Sequence, residues 1–176
     1  MKSPLSLADL MIQFAFDPDD LVANRHGTLS AAQVARLSKR CDRVRWVFLF
    51  IDALFVVIGV IIVAGGLSAG DMGLVIGGIV VCGALLILML FFACRMARAL
   101  QRDLAQGIAA AITGPGRAFA VYVVRGSLYY LAVGDQRFEI TIRQYMALKD
   151  VAGAIYTAYY APESRRLLTL EPGESV

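Results

Sequence analysis

Between Trp46 and Cys94 the chain has no lysine and no arginine, although 17 basic residues stand outside that block. The only acids inside it are Asp52 and Asp71. Charged residues make up 18% of the 176 positions, against roughly 25% in soluble domains, and the shortfall is local. It excludes an ordinary water-facing exterior for this stretch. Cysteine is also scarce. Cys41, Cys82 and Cys94 are an odd, scattered set, which excludes a disulfide framework and zinc spacing and leaves them as small packing residues. The single histidine, His26, stands beside a helix-stopping glycine with no second ligand near it. No phosphate loop, no GxSxG elbow, no HExxH and no CxxC occurs. These absences nominate no catalytic, cofactor-binding or metal residue, and the chain is expected not to be an enzyme. A net charge of +3 suits anionic lipid headgroups better than nucleic acid, so no nucleic-acid partner is expected.

What is present is apolar. Hydrophobic residues are 59% of the chain and the mean hydropathy is +0.66. The uncharged block divides at Ser68-Ala69-Gly70-Asp71 into two runs, about 46–67 and 72–94. Each has about 22 residues, near the ~20 that cross a bilayer as helix. The expected architecture is an α+β membrane protein with a two-span transmembrane hairpin. Lys2 and Pro4, with Asp9 and Gln13 interrupting the apolar stretch, do not make a signal peptide, so the first span is expected to direct insertion. Arg25, Arg36, Lys39, Arg40, Arg43 and Arg45 precede the first span, and Arg95, Arg98 and Arg102 follow the second. The loop between has no basic residue, which puts both termini in the cytoplasm of a cytoplasmic (inner or plasma) membrane. Arg36, Lys39, Arg40, Arg43, Arg95, Arg98 and Arg102 form a collar expected to contact anionic headgroups, at ~1 kcal/mol per charge.

Residues 1–30 read as short capped helices. Ser6-Leu7-Ala8-Asp9 has capping-box form, and Leu7, Leu10, Met11 and Phe14 recur at helical spacing. The polar face of that helix lacks basic residues, so docking on protein is expected over docking on lipid. Asp17-Pro18-Asp19-Asp20 caps a second helix; it lacks the spacing of a calcium loop. Gly27 stops that helix, and Ser30-Ala31-Ala32-Gln33 caps the next.

Residues 31–113 read as the hairpin with coiled cytoplasmic extensions. Val34, Leu37, Cys41, Val44, Phe48, Ile51, Phe55 and Ile58 alternate by three and four, a heptad seam. Ala97, Leu100, Leu104 and Ala111 continue a seam on the second helix until Thr113-Gly114-Pro115-Gly116. Gly73 and Gly77, and Gly78 and Cys82, are small-xxx-small pairs for close helix packing, either within the hairpin or against another protein.

Residues 117–171 read as a small β-rich cytoplasmic domain, a curled sheet or an SH3-like or pleckstrin-like barrel by architectural analogy alone. Strands are expected over 117–124, 127–133, 137–142, 154–161 and 167–170, with a short helix at 144–149. All seven tyrosines lie here, and strands one, two and four are apolar or aromatic on both faces. One face fills the core; the other needs a cover or a partner.

Asp52 is the anomaly, an acid well inside the first span with no basic residue at its level of the second. Intramembrane acids are costly and mark function. Protonation, interfacial water, and a donor on another chain are the three ways to accommodate it. The leading expectation is a non-catalytic accessory, scaffold or assembly subunit of a membrane complex, bound to another membrane protein or to itself. A homo-oligomeric channel or transporter using Asp52 is the alternative, and a membrane-tethered sensor or enzyme built on the β domain is the third.

Overall fold

The computed structural model describes residues 5–123, 126–150 and 153–173. Ten elements follow in order: α1 Leu7–Phe14, α2 Pro18–Arg25, α3 Ala31–Ala69, α4 Met72–Gln106, β1 Ala110–Val123, β2 Gly126–Val133, β3 Gln136–Ile140, α5 Ile142–Leu148, β4 Ile155–Ala161 and β5 Arg166–Pro172. The protein is α+β, with two long apolar helices and a five-stranded antiparallel sheet. It divides into two compact units. One is the middle of the chain, Arg36–Arg102; the other joins Met1–Ala35 to Asp103–Val176.

The middle unit is an antiparallel helical hairpin turned at Gly70-Asp71. The turn is made by Gly70 at φ +67° and by Asp71, whose carboxylate accepts from the Leu74 N–H at 3.1 Å to cap α4. Where the helices touch, one side is small. A Cβ on Gly66 would stand 2.8 Å from Val75 Cγ2, and one on Gly78 would stand 2.6 Å from Ile62 Cγ2. Gly59 sits against Cys82 in the same way, at 3.4 Å. Leu37 and Cys41 are buried, and Val44, Phe48, Ile51 and Phe55 are partly covered. The heptad alternation fails after Phe55. Ile58 is exposed and Gly59 takes its place, so two four-residue steps follow in succession. Such a stutter rotates the inward face along the helix and brings Asp52 onto it beside Ile51.

The second unit is a curled sheet with strand order β3-β2-β1-β4-β5. Its core holds Leu131, Val133, Phe138, Tyr156, Ala158 and Leu170 from the strands, together with Leu10 of α1, Leu21 of α2 and Phe16 between them. Helix α1 packs on β5 and α5, and α2 packs on β1 and β5. The N-terminal helix therefore docks on protein within its own chain. The N-caps form as the sequence indicates: Ser6 Oγ accepts from the Asp9 N–H at 3.2 Å, and Ser30 Oγ from the Gln33 N–H at 3.0 Å.

Strand β3 ends at Ile140 and α5 begins at Ile142, where a strand to 142 and a helix from 144 are expected. Two further boundaries differ and change the topology. Helix α4 ends at Gln106 and does not run to 113. Gly107, at φ +62°, donates its N–H to the Asp103 carbonyl at 2.9 Å, a left-handed glycine stop. The sheet then begins at Ala110, not at 117, and Gly114-Pro115-Gly116 lies inside a strand. Ala110 to Pro115 pair with β4, whereas Gly116 to Val123 pair with β2. The proline falls at the changeover between partners, where a missing N–H and a bend are tolerated in a strand.

Candidate functional site

Asp52 is held on the inward face of α3, half-buried. Continuing the contacts of Gly66, Ile62 and Gly59 down the hairpin brings it level with Met89. Its Oδ1 is buried and accepts no hydrogen bond from any described residue. A buried carboxylate oxygen without a donor is destabilising until one is supplied. No basic side chain of the hairpin is brought to it.

The small residues of α4 separate into two sets. Gly78 and Cys82 face α3. Gly73 has only the Asp71 carboxylate near it, and Gly77 has nothing within 4 Å, so this pair opens away from α3. Beside the inner set runs an apolar groove of about 440 Å³, whose lining includes Phe55, Gly59, Val63, Gly78, Gly83 and Leu86. Apart from the turn at Ser68 to Asp71, the outward surfaces from Trp46 to Phe92 are apolar, with Phe50 at 74% exposure and Ile87 at 72%. Both helices are long and apolar enough to cross a membrane. Arg36, Lys39, Arg40 and Arg43 on α3, and Arg95, Arg98 and Arg102 on α4, all lie on exposed faces.

A second concentration of polar groups lies in the β-rich unit. The buried polar residues among those described are Asp20, Asn24, Gln33, Asp103 and Thr169, and all five belong to this unit. The Asp20 carboxylate accepts from the Asp17 N–H at 3.2 Å and from the Ser30 hydroxyl, so one acid serves the caps of α2 and α3 together. Asn24 Nδ2 donates to Thr169 Oγ1 at 2.8 Å. Gly27 to Leu29 pair with Gly107 to Ala109 through two 2.9 Å backbone bonds. Asp103, fully buried, accepts from the Glu163 and Ser164 N–H groups, each at 2.8 Å. The end of α4 is thereby tied to the β4–β5 turn, and the start of α3 to α2 and to the segment that follows α4. Sequence reasoning missed Asp103. Its one signal is an acid in the last turn of a helix, the wrong sign for the dipole there. Among the described residues no three His, Cys, Asp or Glu side chains meet as a metal site.

The same unit carries a titrating cluster. Arg25 Nε and Nη2 donate to Glu171 Oε2 at 3.1 and 2.7 Å, and the Tyr159 hydroxyl donates to Glu171 Oε1 at 2.8 Å. Burial, then the hydrogen bond to Glu171 and the charge of that carboxylate, push Tyr159 up from 10.0 to about 12, while Arg25 pulls it down. The raised value favours the neutral phenol in the folded state. The stabilisation is complete below pH 10.0 and is lost as pH rises through about 12. Glu171→Gln keeps an acceptor but removes the charge, so Tyr159 is expected to ionise at lower pH, read by tyrosinate absorbance. An unchanged titration would show that the carboxylate has no part in the shift.

Comparison of the chain with protein-family models, with curated proteins and with solved structures gives no match in any of the three.

Proposed function

We propose that the chain is a non-catalytic accessory, scaffold or assembly subunit of a membrane protein complex. In this reading α3 and α4 span the cytoplasmic membrane at about 46–67 and 72–94, and both termini lie in the cytoplasm. Two features support the topology. Residues before and after the hairpin share one core, through Leu10, Phe16 and Leu21 with Leu170, and this requires both flanks on the same side of a bilayer. The basic residues on those flanks select the cytoplasmic side, with the collar among anionic headgroups.

The observation that carries the function is Asp52. Its buried oxygen has no donor among the described residues, and a donor on a third helix would satisfy it. Gly73 and Gly77, open on the side away from α3, would let a neighbouring backbone approach closely. Native mass spectrometry of the full chain, extracted gently from its own membranes, is expected to give a defined complex. Asp52→Leu, which cannot accept a hydrogen bond, is expected to lose the partner mass. A monodisperse wild-type monomer would end this reading. A homo-oligomer alone would favour the channel or transporter reading, and vesicle flux that falls in Asp52→Asn would then establish it.

A further inference from the structure

We propose that the outer face of β1–β2–β3, away from the core, is a binding site for a phosphate-bearing ligand held between Arg117 and Arg137. The register places these residues. Arg117 pairs with Ala132, and Ala132 pairs with Arg137, so the three form one row across three strands. Directly opposed residues of antiparallel strands share a face. Neighbouring strands lie roughly 4.8 Å apart, which sets the two arginine backbones about 10 Å from each other with only a methyl group between them. That is room for one anion. Leu131 and Val133, the neighbours of Ala132, point into the core, so the row lies on the opposite face.

The row is concave. Arg117, Phe119, Ala132, Gly134, Asp135 and Arg137 line a cavity of about 440 Å³. The small side chain at 132 keeps it open. Phe119 forms a wall, stacked on Tyr130 with ring centroids 5.7 Å apart. The Arg137 guanidinium carbon lies 5.8 Å from the Phe119 ring centroid, a cation–π contact that holds this arginine in place without neutralising it.

Charge points to the ligand. Neither arginine is in an ion pair with a described carboxylate. Two guanidiniums in one row repel one another, and a bound anion removes that repulsion. Their planar forks match phosphate oxygens two at a time. A phosphate monoester can accept from both forks at once through three terminal oxygens, whereas a carboxylate has two. Asp135 on the rim disfavours a second anionic group and can accept from a hydroxyl. The ligand class is thus a phosphate monoester, either a free metabolite or a lipid headgroup.

The test uses the full-length protein in phosphatidylcholine nanodiscs, titrated with inorganic phosphate by calorimetry. A second preparation, in nanodiscs doped with phosphatidate, is washed into phosphatidylcholine and assayed for retained phosphatidate. Saturable phosphate binding, about tenfold weaker in Arg117→Ala and in Arg137→Ala and lost in Ala132→Glu, establishes the site for a free ester. Phosphatidate retention without phosphate binding, lost in the same variants while the collar is untouched, assigns a headgroup. Arg137→Lys, which keeps the charge but not the fork, is expected to fall between wild type and Arg137→Ala. Wild-type protein that binds neither probe overturns the proposal whatever the variants do. So does binding that is equal in wild type and in the folded variants.

Discussion

Asp103→Ala is expected to lower the unfolding free energy of the β-rich unit by about 3–6 kcal/mol, from two hydrogen bonds to a charged acceptor at ~1.5–3 kcal/mol each. The side chain is fully buried, and its two oxygens accept from the consecutive N–H groups of Glu163 and Ser164 in the β4–β5 turn. Truncation leaves both donors facing a void and also unties the end of α4 from the sheet. The acid opposes the dipole of its own helix, so the two amides are what hold it there. Asp103→Asn retains one acceptor oxygen but turns an NH₂ toward the other amide, and is expected to behave more like alanine than like wild type. All seven tyrosines lie between Tyr122 and Tyr160, and the only tryptophan, Trp46, lies in the other unit. Near-ultraviolet circular dichroism of tyrosine therefore follows this unit within the full chain. A fall in Tm on the order of 10 °C or more is expected. A melt within ~2 °C of wild type would mean that water replaces the carboxylate without cost.

Gly114→Val is expected to destabilise the same unit by about 3 kcal/mol or more, at or beyond the upper end of the usual cost of overpacking. A Cβ at position 114 would stand 2.8 Å from the Gly134 nitrogen and 2.9 Å from its Cα. The obstacle is backbone, not the end of a flexible side chain. Relief requires moving the β2–β3 turn, which Gly134 holds at φ +59°. Gly77→Val is the control, because nothing lies within 4 Å of it in the chain. It should leave the tyrosine signal intact while weakening any complex formed through that face. If Gly114→Val melts like wild type, the turn is more compliant than this packing implies.

The parts of the fold governed by local chemistry were legible. Ser6, Asp17 and Ser30 start helices, and the strand from Ile155 to Ala161 was marked by its run of aromatic and small residues. Thr141 and Ile142 fall within the expected strand 137–142, because the alternating pattern continues across the cap of Thr141 on Gln144; β3 ends at Ile140 and α5 begins at Ile142. The stop at Gly107 was hidden by Leu104 and Ala111, which continue the helical spacing past it. Pro115 was read as a breaker because a proline with glycines on either side ends most elements; only the exchange of β4 for β2 as the partner of β1 makes it a strand residue. Asp52 stood out at once, since a lone acid in an apolar run needs no tertiary knowledge to be noticed. Asp103 did not, since its partners are two backbone amides some sixty residues away. The Arg117–Ala132–Arg137 row likewise exists only once three strands are in register.

The β-rich unit is assembled from both ends of the chain, with the hairpin between them. This has a consequence for biosynthesis. Leu10, Phe16 and Leu21 precede both apolar helices in synthesis, and Leu170, part of the core that covers them, follows both. At roughly 5–20 residues per second the interval is on the order of ten seconds. During that time the N-terminal segment holds exposed apolar side chains, within reach of chaperones and proteases. The β-rich unit can close only after both long helices have been made, so synthesis stalled within them leaves the first thirty-five residues without a core to join.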